Sequence, residues 1–127
     1  RQTTKFNGVS YIVQRAAAAA FTPEGLAQTQ ADIQYYLENA ALMRRTFEGL
    51  AMTCFGGAHS PYIWLACPAG LEAWDYFDHL LNDKHLVVTP GDGFGENGRG
   101  FVRLTAFGSL ENTEKAMARI REDGKGK

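Results

Sequence analysis

The 127-residue chain has no surplus of positive charge: 13 Lys and Arg stand against 14 Asp and Glu, a formal net charge of −1. Nucleic-acid binders carry a basic excess or a basic stripe, so no nucleic-acid partner is expected. Also missing is any apolar run near the roughly 20 residues that span a bilayer. Ala16 to Ala20 is too short and too weakly apolar, and no apolar leader follows Arg1-Gln2-Thr3-Thr4-Lys5. No membrane partner is expected either. Cysteine is scarce. Cys54 and Cys67 fit no zinc or CxxC spacing, and read as buried free thiols of a soluble protein in a reducing compartment. His59, His79 and His85 lack HExxH or other paired metal-ligand spacing, so no metal site is expected. An initiator methionine is absent, and Phe6, Val9, Tyr11 and Ile12 already interleave with polar groups as inside a domain. The chain therefore reads as a fragment, ended by a charged, glycine-broken tail from Glu122 to Lys127.

What is present is an ordinary globular composition, 45% hydrophobic and 21% charged. Tyr11 to Phe21 is a short, alanine-rich helix candidate. Thr22-Pro23-Glu24 then offers an N-cap, a first-turn proline and a first-turn acid. Ile33, Tyr36, Ala40, Met43, Phe47 and Leu50 follow at spacings of three and four, which predicts one helix from Pro23 to Gly49, about 40 Å long. Short strands are expected over Ala51 to Phe55, Tyr62 to Cys67, His85 to Val88 and Phe101 to Phe107. Leu71, Trp74, Phe77 and Leu81 predict the buried face of a further helix, and Ser109 is expected to cap a last one burying Leu110, Met117 and Ile120. Helices and strands in this order imply an α/β layered domain, a mixed sheet covered by helices.

Five glycines, at 91, 93, 95, 98 and 100, crowd into ten residues. The pattern is neither a P-loop nor a dinucleotide fingerprint, and a glycine-rich connection shaping a pocket wall is the better reading. In the strand that follows, Val102, Leu104 and Ala106 make a purely apolar face, while Phe101, Arg103, Thr105 and Phe107 share the other. A guanidinium held there among aromatics calls for an anion. Its planar fork matches a carboxylate through two parallel hydrogen bonds. From the residues alone that anion is either a substrate carboxylate or an internal acid such as Asp92 or Glu96. No other residue stands out: Ser60 and Ser109 sit in no nucleophile elbow, and Asp75 and Asp78 lie on a solvated helix face.

The run Pro90-Gly91-Asp92-Gly93-Phe94-Gly95, continuing into Gly100-Phe101-Val102-Arg103-Leu104-Thr105-Ala106-Phe107-Gly108, resembles the C-terminal small domain of fold-type-I pyridoxal-phosphate aminotransferases. The long helix from Pro23 fits the same template. With Phe6-Asn7-Gly8-Val9-Ser10 and Ser60-Pro61-Tyr62-Ile63-Trp64 added, the resemblance narrows to the LL-diaminopimelate aminotransferase family. It covers nearly the whole chain. His59-Ser60 departs from the Asn-Ala expected before Pro61.

The resemblance implies that Arg103 grips the substrate α-carboxylate. It implies that Asn7, 96 positions earlier, reaches substrate and pyridoxal 5'-phosphate across a homodimer interface. Residues 1–22 would then be a remnant of the large cofactor-binding domain, and residues 23–127 the small domain with its interdomain helix. The implied reaction moves an amino group between LL-2,6-diaminopimelate and 2-oxoglutarate in lysine biosynthesis, in bacterial cytoplasm or chloroplast stroma. The partners are thus amino-acid and 2-oxo-acid substrates. The family's Schiff-base lysine has no counterpart among Lys5, Lys84, Lys115, Lys125 and Lys127. The chain alone is expected to be inactive and to hold no catalytic residue, the cofactor being bound mainly by residues outside it. Two alternatives remain: an aminotransferase for another amino acid, and a non-catalytic carboxylate-binding α/β module.

Overall fold

In a computed structural model, residues 8–123 are described, and Asn7 lies outside them. Two compact units divide between Gln34 and Tyr35. The first holds helix α1 (Tyr11–Ala20) and the start of α2 (Pro23–Gly49). The Thr22 hydroxyl caps α2 by accepting from the Gly25 amide at 3.1 Å. Gly25 is required here, because a Cβ would lie 2.2 Å from the Ala19 carbonyl oxygen. Every residue of α1 is exposed.

The second unit contains the rest of α2 and a four-stranded sheet. Its strands are β1 (Cys54–Gly56), β2 (Tyr62–Ala66), β3 (Thr89–Pro90) and β4 (Phe101–Thr105), in the order β1-β2-β4-β3. Each pairing is antiparallel. Helices α3 (Ala73–Lys84) and α4 (Leu110–Asp123) complete the unit. Ile63 pairs with Leu104 and Leu65 with Val102, so these four side chains share one face, as strand alternation requires. That face is buried against Ala40, Met43 and Phe47 of α2, Tyr76 and Leu80 of α3, and Met117 and Ile120 of α4. Asn39 ties α2 to the end of β4: its amide donates to the carbonyls of Ala106 at 3.2 Å and Gly108 at 2.9 Å. Among the described residues of this unit, no helix packs on the opposite face, where Phe55 and Tyr62 are exposed.

The α/β layering expected from sequence is present, as are the limits of α2, the Ser109 cap (the Asn112 amide donates to its hydroxyl at 3.2 Å) and the buried Val102, Leu104 and Ala106. Several details differ: the sheet is antiparallel at every pairing, where a mixed one was expected. His85 to Val88 is not a strand. His85 adopts φ 52° as the left-handed cap of α3, and the Leu86 amide donates back to the Leu80 carbonyl. The chain is thus still leaving the helix where a strand was expected. On α3 the buried face is Ala73, Tyr76 and Leu80, with Trp74 58% exposed. The expected stripe is rotated by about one position, because the helix presents Tyr76 to the core and Trp74 stacks edge-on against Phe77 outside it. Leu110 and Ile33 are exposed. In α4 the buried row begins instead at Thr113, whose hydroxyl donates to the Ser109 carbonyl. Cys54 and Cys67 are free thiols but half-buried. Among the described residues, no helix is long and apolar enough to cross a membrane, and no His, Cys, Asp and Glu cluster could hold a metal.

Candidate functional site: an arginine packed on aromatic rings

Arg103 is central in β4, opposite Trp64 on β2 and Thr89 on β3. Directly opposed residues share a face, so its side chain rises from the open side of the sheet. Phe55, Tyr62, Trp64 and Phe101 rise with it. The guanidinium carbon lies 4.7 Å from the Tyr62 ring centroid and 4.4 Å from that of Phe94. Each such contact is worth about 0.5–1 kcal/mol when exposed and about 2 when desolvated. The rings are themselves braced. Phe94 meets Trp64 edge-on at 5.2 Å, and Tyr62 meets Phe107 edge-on at 5.6 Å.

Among the described residues, no carboxylate lies within ion-pair distance of Arg103, and no hydrogen bond satisfies its N–H groups. The neighbouring acids do not serve it. Asp92 bears instead on Cys67, whose thiol is pushed above its ordinary value first by burial, then by Asp92 and Glu72. Arg103 therefore presents a half-buried guanidinium with its donors unspent. It lines a cavity of about 390 Å³ together with Tyr62, Thr89, Thr105 and Phe107. A second cavity of about 370 Å³ lies between Phe55, Trp64, Phe94, Asn97 and Phe101. Phe94 thus lines the second cavity while stacking on the arginine that lines the first.

The glycine-rich segment forms two 3-10 turns, Gly91–Phe94 and Glu96–Gly98. Their backbones touch. A Cβ on Gly91 would sit 1.9 Å from the Gly98 carbonyl oxygen, and one on Gly98 2.0 Å from that of Gly91. This close approach explains Gly91 and Gly98, and positive φ explains Gly95 and Gly100; the turns so formed deliver Phe94 to the guanidinium. The loop does line a pocket wall, as its composition suggested. Tyr62 and Phe94 were not singled out as site residues from sequence. Strand alternation places Tyr62 on the face of Trp64 and Arg103, but only the fold of the loop brings Phe94 there.

Neither described lysine lines these two cavities. Lys115 is engaged by Glu111 at 2.6 Å on an exposed helix face, and Lys84 ends α3 outside both cavities. His79 is bonded to Asp83, and His59 and His85 are exposed. What the site can do chemically is take an anion, a planar one by preference.

A sequence model of the family described as aminotransferase class I and II matches residues 1–120. The LL-diaminopimelate aminotransferase of Lawsonia intracellularis (strain PHE/MN1-00) is 52% identical over 122 residues, which span 96% of this chain and 30% of that protein. The structure of L,L-diaminopimelate aminotransferase from Chlamydomonas reinhardtii superposes with a TM-score of 0.89 at 45% identity, covering 95% of this chain and 30% of that one. An aromatic aminotransferase from Pyrococcus horikoshii OT3 shares the fold, with a TM-score of 0.79 at 22% identity over 87% of this chain and 30% of that one. The chain thus spans under a third of the length of each of these relatives.

Proposed function

Because the chain belongs to the class I and II aminotransferase family, we propose that it is the substrate-gripping C-terminal part of an LL-diaminopimelate aminotransferase. The parent enzyme moves an amino group between LL-2,6-diaminopimelate and 2-oxoglutarate, and works as a homodimer. The observation that carries this reading is the Arg103 guanidinium, held over aromatic rings, paired with no acid among the described residues and open to a cavity. Its edge donors take the α-carboxylate in a two-point fork. Both amino donor and oxo-acid acceptor carry such a group, so one arginine serves both half-reactions. Thr89 and Thr105 border the cavity and offer hydroxyls to the same end of the substrate. Asn7 reaches the substrate and cofactor. Pyridoxal 5'-phosphate, bound mainly by residues outside this chain, supplies the electron sink there. This chain's share is orientation, fixing the carboxylate so that the reacting carbon is presented in one geometry.

The test is Arg103→Lys in the full-length enzyme. The charge stays and the fork is lost, so kcat/KM for LL-diaminopimelate falls by about 10²-fold or more, in line with charge-assisted hydrogen bonds of about 1.5–3 kcal/mol. An unchanged kcat/KM refutes the carboxylate role.

A further inference from the structure

We propose that Phe94, delivered by the glycine loop, is a positioning residue that fixes the plane of the Arg103 guanidinium for capture of the substrate carboxylate; the inference rests on the carboxylate role proposed above. A guanidinium has weakly hydrated faces and an edge bearing five N–H donors. Tyr62 and Phe94 hold the group within 4.7 and 4.4 Å of their ring centroids. Each ring is braced by a different neighbour, Phe94 by Trp64 and Tyr62 by Phe107. A planar group packed over two rings loses rotamer freedom before the ligand arrives, which lowers the entropic cost of binding, and among the described residues its N–H donors stay unspent. A carboxylate approaching in that plane meets two parallel donors already aligned.

The two rings have unequal supports. Tyr62 belongs to β2 and is fixed by strand pairing. Phe94 ends the 3-10 turn of Gly91–Phe94, and its place depends on the backbone contact between Gly91 and Gly98 and on the edge of Trp64. The loop's contribution to the site is thus one ring, over which the guanidinium lies. That gives the glycine pattern a purpose that phosphate or nucleotide binding does not.

The experiment uses the full-length, cofactor-loaded enzyme. Phe94→Leu keeps an apolar group of similar reach and removes the π face. KM for the amino donor and for the oxo acid each rise about tenfold, equivalent to about 1.4 kcal/mol and within the range of a partly desolvated cation–π contact. Meanwhile kcat stays within about twofold, the signature of lost ground-state and transition-state binding alike. Affinity for glutarate, a dicarboxylate with no group to react, weakens by the same factor in calorimetry. The thermal midpoint does not move, and Phe94→Tyr, which restores a ring, restores KM. In an Arg103→Lys background, Phe94→Leu adds less than about twofold, because an ammonium has no plane to hold. Unchanged KM and glutarate affinity in Phe94→Leu, or a full tenfold loss added on top of Arg103→Lys, overturns the inference while leaving the impaired Arg103→Lys enzyme as support for the carboxylate role. Wild-type kcat/KM in Arg103→Lys overturns both.

Discussion

Ile63, Leu65, Val102 and Leu104 on one side of the sheet, and Tyr62, Trp64, Phe101 and Arg103 on the other, come from the same two strands. Both sets are rich in apolar atoms, yet one is the core of the unit and the other is open. The first set is wholly aliphatic and packs with α2, α3 and α4, so none of these four side chains brings a polar atom to satisfy. The second mixes large rings with one cation. Rings can lie half-wet and still hold a guanidinium by its face. Apolar content alone does not tell core from site; the presence of a charge within one alternating set does.

The strongest way to break this contrast is truncation on each side. Phe47 is fully buried against the aliphatic face, and Phe47→Ala is expected to cost about 3–5 kcal/mol through lost transfer energy and the cavity left behind. Phe55 is 56% exposed on the other face. Phe55→Ala is expected to change the unfolding free energy, read from urea titration, by no more than about 0.5 kcal/mol, as at surface positions generally. A comparable loss at both positions would show that another surface covers the open face and that it too acts as core.

Much of this was legible in the sequence. The three-and-four spacing marked α2 from Pro23 to Gly49, and the alternation in β4 separated Val102, Leu104 and Ala106 from Arg103. What was not legible has physical reasons. Trp74 and Tyr76 are both aromatic and two positions apart, so helical spacing alone does not say which one faces the core; tertiary packing chose Tyr76. The apparent strand at His85 to Val88 was lost to a helix cap, a backbone state that residue type predicts poorly when the residue is histidine rather than glycine. The placement of Phe94 is non-local: it follows from two glycines seven positions apart closing on each other, a contact with no periodic signature.

Those glycines offer a sharper cut. In Gly98→Ala the new methyl meets the Gly91 carbonyl at 2.0 Å, and backbone cannot give way as a side-chain tip can. The turns must separate, at a cost of about 1–3 kcal/mol as for other forced insertions. Because this displacement carries Phe94 away from Arg103, the variant is expected to lose carboxylate affinity as well as stability. Gly93→Ala, which meets nothing within 4 Å, is expected to leave both intact. Equal effects from the two substitutions would mean that the loop's glycines act through general chain stiffness and not through the contact between Gly91 and Gly98.

The smallest expected effect comes from the two thiols at the rim of the covered face, where Cys54 opposes Leu65 across the sheet and both cysteines pack against the core. Burial raises both above the ordinary thiol value. At Cys54, Glu48 adds to the rise while Arg44 opposes it; at Cys67, Asp92 and Glu72 add to it. Since the folded state holds the proton more tightly than the unfolded one, the associated stability is complete below the ordinary thiol value. It is lost as pH climbs through the raised one. Alkylation requires the thiolate, so iodoacetamide at mildly alkaline pH is expected to modify Cys54 and Cys67 more slowly in the native protein than after urea unfolding. The gap should narrow as pH rises past the folded value, followed residue by residue through peptide masses. Native rates equal to the unfolded ones would place both sulfurs in solvent-like surroundings, and the covered face would then end short of the residues at which β1 begins and β2 leaves the sheet.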